Sequence, residues 1–510
     1  MKQGKKFFQK LTPFGKGIFT KDFFMVFGSI IVVLLATLYP FNFSLPYNFS
    51  IRNISSQFES TSNFTDQVNN IILFIPLGFS LSSSLQKRKI PLIGKILLVF
   101  LGSAGLSLTV ELLQLFLPSR EPTPADIINN TISGLVGLLC FYLCHSQNFD
   151  SILTSIENST LGRSTQKITL FFSGYILLVF AVSTIWLGTT NLSGWNLNYP
   201  LIIGNEKTGN RPWQGYISKI YIADRAISKN EVEKVFAEEN YFHTMGNSLL
   251  TSYKFTEQCC QPEEPAKSPK LLKKKLWWEQ LSENQQGQGV FLSPGNWLET
   301  AKPVTSLNQR IRETSELTIS TTVASSDTQQ TGPARIISIS NGPLRRNFTL
   351  GQEGTALDLR IRTSLTGENG SELKMRVPSI FTDTNTHHIV LAYSKGILQV
   401  YIDNSTHFHS FRLLNLIPKE QQLFYYAITF IPMGICLTIL IVLAKRKIFL
   451  YRFFIFGGIL LPSLILESIL VSENGKNISL RNFLLGIFFT TSTMLVLRLR
   501  ALMVLKKTAV

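Results

Sequence analysis

The sequence predicts a multi-pass α-helical membrane protein with an inserted all-β extracytoplasmic sandwich, and three observations predict it. About eight apolar stretches reach the roughly twenty residues needed to cross a bilayer. Mean hydropathy is positive over 510 residues, of which only 16% are charged. The long segment between the two groups of apolar stretches changes to strict alternation of apolar and polar residues.

The apolar stretches fall at 23–41, 68–86, 91–117, 126–144, 167–187, 422–444, 448–471 and 482–504. Residues 1–22 form a basic N-terminus that runs into the first stretch without a small-residue cleavage site, which predicts a retained helix rather than a removable signal peptide. The net charge of +17 gathers in runs beside apolar segments, such as "QKRK" at 86–89 and "AKRK" at 444–447. That distribution marks cytoplasmic flanks and argues against a nucleic-acid partner. It places both termini in the cytoplasm and 188–421 outside.

In the outer segment, "ELTISTTV" (316–323), "ALDLRIRT" (356–363) and "ILQVYIDN" (397–404) read as strands. Leu357, Leu359 and Ile361 are expected to face in, and Asp358, Arg360 and Arg362 out. Turns at "SISNGP" and "TGENGS" complete the pattern of a two-sheet antiparallel sandwich over 198–412. The basic insertion "KSPKLLKKKLWWEQ" (267–280) reads as a solvated loop.

Five cysteines give no disulfide framework. Cys140, Cys144 and His145 lie at helical spacing but lack a fourth ligand, and His407 with His409 lacks a carboxylate, so no metal is expected. No cofactor is expected either.

The stretch 107–137 puts Glu111, Gln114, Arg120, Asp126 and Asn130 among apolar residues, where an ionisable group costs at least about 2.5 kcal/mol. Ser107, Glu111 and Gln114 share one helical face, as do Asp126, Asn130, Gly134 and Gly137. With Asn70 from the preceding helix, these polar ends all fall near the outer surface of the membrane. Arg120, in the proline-bearing connection "LPSREPTPA", can pair with either carboxylate or grip an anion. Three readings fit: a structural polar network, a ligand site formed by Asn70, Glu111, Gln114, Arg120, Asp126 and Asn130, or a catalytic pair in which Glu111 and Asp126 act as acid and base. Glu467 lies near the outer end of its own helix, where it can join this cluster or pair with Arg481.

"NNIILFIPLGF" (69–79) followed by "LTVELLQLFLPSREPTPADIINNTISGLVG" (108–137) closely resembles the VanZ-like membrane proteins. The matching positions are Asn70, Phe74, Pro76, Gly78, Glu111, Gln114, Arg120, Asp126, Asn130, Gly134 and Gly137, within about residues 20–145. The resemblance implies a bacterial envelope protein whose founding relative is associated with teicoplanin resistance, without naming a molecular activity. It divides the helical part into a four-helix domain at 23–145, a fifth helix at 167–187 and a three-helix segment at 422–510.

"LIIGNEKTGNRPWQGYISKIYIADRAISKNEVEKVF" (201–236) resembles the closing part of concanavalin A-like and laminin-G-like domains, jelly-roll sandwiches of the lectin type. "SLLTSYKF" (248–255) resembles their opening strand and "HHIVLAYSKGILQVYIDN" (387–404) their late hairpin. Closing strands thus precede the opening one, a circular permutation in which 198–236 completes the sheet begun at 248. The resemblance implies saccharide binding, with Trp213, Trp297, Tyr401, Arg360 and Arg362 as candidate contacts. The partners expected are membrane lipid and a cell-envelope polysaccharide or glycan-lipid; the alternative is a membrane enzyme modifying a lipid-linked saccharide.

Overall fold

The computed structural model describes residues 21–44, 64–86, 88–117, 122–238, 240–255, 261–262, 268–275 and 289–508. The chain divides into two compact units, one comprising 1–163 with 495–510 and the other 164–494.

In the first unit, α1 (Lys21–Leu38), α2 (Phe64–Gln86), α3 (Leu92–Gln114) and α4 (Pro124–Cys144) form the membrane helices, and α5 (Ser146–Glu157) follows them. The last three membrane helices are long and apolar enough to span a bilayer; α1 offers a shorter apolar stretch, Asp22–Leu38. Helices suit this solvent because each satisfies its own backbone polar groups. Val33, Phe74, Leu77, Val110 and Leu117 pack into one buried cluster among α1, α2 and α3. Arg500, from the last helix of the chain, donates to the carbonyls of Leu143 (3.2 Å) and Cys144 (2.9 Å), where the end of α4 leaves acceptors unpaired.

The second unit opens with α6 (Thr165–Gly188), capped by Ser164, and proceeds through fifteen strands. The first seven are β1 (Leu201–Ile203), β2 (Gly215–Ala223), β3 (Leu249–Lys254), β4 (Gln261–Pro262), β5 (Leu271–Lys275), β6 (Val290–Leu292) and β7 (Asn296–Thr300). The other eight are β8 (Leu317–Ser325), β9 (Ala334–Ser340), β10 (Arg346–Glu353), β11 (Ala356–Ile361), β12 (Met375–Val377), β13 (Thr386–Ser394), β14 (Ile397–Ile402) and β15 (Asn404–Arg412). Two short helices, α7 (Lys229–Ala237) and α8 (Thr305–Thr314), interrupt them. Three long helices complete the chain: α9 (Lys419–Ala444), α10 (Ile448–Asn474) and α11 (Leu480–Thr508).

The strands make two antiparallel sheets. One runs β12-β11-β10-β9-β1-β7-β5; the other runs β15-β14-β13-β8-β2-β3-β4, with β6 also on β2. Leu357, Leu359 and Ile361 are buried as the alternation predicts, together with Ile337, Ile339, Phe348 and Leu350 from the neighbouring strands. The early strand β2 lies beside β3, with Ile220 opposite Tyr253, so part of 198–236 does complete the sheet that begins near 248. β1 departs from that expectation: it joins the other sheet, between β9 and β7. Gly204, at φ +84°, lets the chain turn away after β1. Residues 271–275 of the basic insertion, expected to be loop, form the edge strand β5 paired along β7; lysines are tolerated on an edge strand, which is where native sheets carry such charges. The rest of the insertion, with Trp277 and Trp278, lies outside the described residues, as do Cys259 and Cys260.

Thr190 fastens this sandwich to the helices of its own unit. Its carbonyl accepts from the Tyr393 hydroxyl, and its Oγ1 accepts from Asn474 Nδ2 at 2.8 Å, at the end of α10. Gly396, at φ +78°, allows the β13–β14 turn to rest on Thr190, where a Cβ would come within 2.9 Å of its side chain.

His388 on β13, half-buried against Phe236 of α7, shows how the domain treats charge. Its Nε2 lies 2.8 Å from Ser320 Oγ, its ring meets Phe236 edge-on, and burial pushes it down from 6.5 to about 4, against the pull of Asp403 and with a smaller push from Lys219. Between pH 6.5 and about 4 the unfolded chain binds a proton that the folded chain refuses, so stability falls as pH falls through that window, by about 2–3 kcal/mol. Thermal unfolding followed against pH should show this loss in the native chain and a flatter profile in His388→Gln; parallel profiles would contradict it.

Candidate functional site

The first unit gathers its polar residues where α2, α3 and α4 touch. On α3, Ser103, Ser107, Glu111 and Gln114 are buried; on α4, Asp126, Asn130, Gly134 and Gly137 are buried. The two faces meet through Asn130, whose Nδ2 donates to Ser107 Oγ at 2.9 Å. Backbone contact makes this possible. A Cβ on Gly78 would sit 1.9 Å from the Gly134 carbonyl oxygen, one on Gly137 2.2 Å from the Ile75 carbonyl oxygen, and one on Gly134 2.0 Å from Ser103 Oγ. Small residues of this kind let membrane helices approach closely. Gln114 reaches the other way, donating to the Thr37 carbonyl at 3.1 Å and tying α3 to α1.

Thr123 links the Glu111 carboxylate to the backbone of Asp126. Glu111 Oε2 accepts the Thr123 backbone N–H at 2.9 Å, and Thr123 Oγ1 accepts the Asp126 N–H at 3.2 Å, capping α4. Pro124 starts the helix at a position that needs no N–H, and Asp126 sits in the first turn, where the helix dipole favours a negative charge. Glu111 and Asp126 are close enough to repel. Asn130 Oδ1 and Ser103 Oγ are buried with no hydrogen-bond partner among the described residues.

The structure therefore brings together Glu111, Gln114, Asp126 and Asn130. Asn70 is half-buried on α2, one turn before the fully buried Phe74. Arg120 lies outside the described residues. Ser103, Ser107 and Thr123 complete the arrangement. Thr123 was legible as the Thr-x-x-Asp cap before an apolar run.

Glu467, in the second unit, pairs with Lys476, whose Nζ donates to both carboxylate oxygens at 2.9 and 2.8 Å and to the Tyr426 hydroxyl at 2.8 Å. Arg481 donates instead to Gln422 at 3.1 Å. The lysine wins because Gly475, at φ +56°, turns the chain back at the end of α10 and returns Lys476 toward the helix.

The five candidate saccharide contacts separate. Trp213 is fully buried and donates to Gln352 Oε1 at 2.9 Å; Tyr401 is buried in an aromatic cluster with Tyr221 and Phe242. Trp213 is enclosed in the domain, and Tyr401 is covered on the helix-facing side of its sheet by Val232 and Val235 of α7, so neither presents a ring to a ligand. Arg362, expected to face out, is buried with its guanidinium 3.8 Å from Glu368, just past the end of β11 at Ile361. Trp297 is half-buried, and Arg360 is partly exposed. These two share a face: the register runs from Glu299 through Ile202, Ser338 and Thr349 to Arg360, and Trp297 is two residues from Glu299. That face is the one turned away from the sandwich core.

Among the described residues, no three His, Cys, Asp or Glu side chains gather to hold a metal. His407 and His409 do lie side by side, with ring centroids 5.8 Å apart.

Fold and site together define a polytopic membrane protein with a buried polar face at one helix junction and an all-β domain between its helical segments. Residues 20–145 match the model of the VanZ/LLP1 family. The chain is also similar to protein VanZ of Enterococcus faecium, at 26% identity over 140 residues that cover 27% of this chain and 75% of that protein. No solved structure matches the chain.

The geometry separates two substitutions at Glu111. Glu111→Ala removes the acceptor for a buried N–H, a loss of about 1–3 kcal/mol, and should lower accumulation in membranes. Glu111→Gln retains an oxygen acceptor at the same place and should accumulate as the native chain does. Quantitative immunoblotting of membrane fractions distinguishes them, and equal loss in both variants would contradict the role given to the Thr123 bond.

Proposed function

We propose that the protein is an integral membrane protein of the bacterial cell envelope, with both termini cytoplasmic and the β-sandwich outside. The sandwich captures cell-wall or exopolysaccharide saccharide, and the VanZ/LLP1 domain binds an anionic or glycan-lipid ligand at the membrane, in a role linked to glycopeptide resistance of the teicoplanin type. The observation that carries this reading is the buried polar face of α3 and α4. Groups this polar are placed in a membrane interior at a cost, and Asn130 Oδ1 and Ser103 Oγ remain without a partner. Trp297 and Arg360, on one face of the seven-stranded sheet, supply the ring and the hydrogen-bond donor that saccharide recognition uses.

One observation favours a second reading. Glu111 and Asp126 stand at one helix junction, where Thr123 bonds the Glu111 carboxylate and the Asp126 backbone, a placement that an acid and a base acting on a lipid-linked saccharide would use.

Full-length protein in nanodiscs should retain envelope polysaccharide, and Trp297→Ala should weaken retention about three- to tenfold. Glu111→Gln should leave that retention unchanged while abolishing any protection against teicoplanin that the native chain confers on a susceptible host. Failure to retain any envelope saccharide would remove the capture role. Protection that survives Glu111→Gln would remove the ligand and catalytic readings together.

A further inference from the structure

The face of the seven-stranded sheet that points away from the core holds more positive charge than it can neutralise. Arg335, Gly351, Asp358 and Arg376 lie opposite one another across four strands. Beside them, Thr349 stands opposite Arg360. Two breaks in register, between Leu350 and Gly351 and between Arg346 and Phe348, adjoin Arg335 and Arg346. Such bulges re-aim side chains, so arginines that simple alternation would misplace reach this face.

The charges do not balance. Asp358 is used by its neighbours: its Oδ2 accepts from Arg360 Nε and its Oδ1 from Arg376 Nε, both at 2.9 Å. Glu206 accepts from the Thr208 hydroxyl. Arg335 and Arg346 are 1% and 2% exposed, yet Nη1 of Arg335 and both Nε and Nη1 of Arg346 have no hydrogen-bond partner among the described residues. Thr349 Oγ1, fully buried on the same face, has none either. Burial, then repulsion by Arg346 and Arg360, pushes Arg335 down to about 9, and burial and Arg360 push Arg346 down to about 10, in each case against a weaker pull from Glu206 and Asp358. Guanidinium groups keep their proton inside proteins, and Glu206 and Asp358 offset only part of the positive charge here, so these groups lack bonded acceptors and a full counter-charge. The segment from Asn205 to Arg211 runs alongside, with the Arg211 carbonyl accepting the Arg335 backbone N–H at 3.0 Å and the Arg211 guanidinium adding to the positive charge around Arg346.

We infer that this face is a binding site for a phosphate-class oxyanion, held by the guanidinium groups of Arg335 and Arg346 and the hydroxyl of Thr349. Three sets of unsatisfied donors on one face suit a group with several acceptor oxygens better than a neutral sugar hydroxyl. The oxyanion is either free or carried as the phosphodiester of an envelope polymer. In the second case the site names the chemical class of the saccharide captured by the sandwich, and to that extent it rests on the capture role proposed above.

The test uses the full-length protein in nanodiscs, titrated with inorganic phosphate at constant ionic strength and followed by thermal unfolding. The melting temperature should climb steadily with the logarithm of phosphate concentration and should not respond to chloride. Arg346→Met should weaken the phosphate response at least about tenfold while melting no lower than the native chain in phosphate-free buffer, because it removes a buried uncompensated charge. Arg335→Met provides the same readout should Arg346→Met fail to fold. A flat phosphate response in the native chain, or an undiminished one in a folded variant, overturns the inference. A second arm compares retention of a glycerol-phosphate polymer with that of a neutral glucan. Phosphate response without polymer retention supports a free-ion site and removes polymer capture. Retention of both polymers alike by native and Arg346→Met chains, without a phosphate response, leaves capture standing and overturns the oxyanion site.

Discussion

The polar face of the VanZ/LLP1 domain depends on one contact, the approach of α2 to α4 through Gly78, Gly134 and Gly137. Lipid tails are as apolar as leucine, so the hydrophobic effect does little to hold two helices together in a bilayer. What remains is close packing and polar satisfaction, and glycine supplies the first by removing side chains that would otherwise lie about 2 Å from facing backbone or side-chain atoms. With α4 seated against α2, Gly134 also accommodates Ser103, which brings α3 near enough for Ser107 to accept from Asn130. Thr123 then lies where Glu111 can take its N–H. Each polar contact follows from the backbone contact before it.

The second unit solves the corresponding problem for a sandwich joined to membrane helices at both of its ends. Thr190 receives a tyrosine from the β13–β14 hairpin and an asparagine from the end of α10. The ends of two helices and a turn of the sheet are thereby fixed to one residue. Buried charge is handled in two ways in this unit. Lys476 and Glu467 are paired and further bonded to Tyr426, which offsets part of the desolvation cost of burying them. Arg335 and Arg346 are not, and that contrast within one unit gives the positive sheet face its meaning.

Much of this was legible in the chain. Helical spans follow from apolar length, strands from two-residue alternation, and the polar face of α3 and α4 from spacings of three and four among apolar neighbours. What the sequence hid has specific causes. The lysines of 271–275 read as loop because an edge strand can carry charge that an inner one cannot. Trp213 and Tyr401 read as ligand contacts, but aromatic rings also serve buried packing, Tyr401 beneath α7. Arg362 was misplaced because alternation was carried one residue past the end of its strand. Arg335 was invisible because it shares the phase of Ile337 and Ile339 and only a bulge distinguishes it.

Cysteine cross-linking between Ser107→Cys and Asn130→Cys, in a background with the native cysteines replaced, tests the central contact in intact membranes. The two side chains meet at 2.9 Å, so mild oxidation should join them, and adding Gly134→Leu should abolish the bond by forcing α4 away. Failure to cross-link, or cross-linking that persists with leucine at 134, would contradict the dependence of the polar face on the glycine contact.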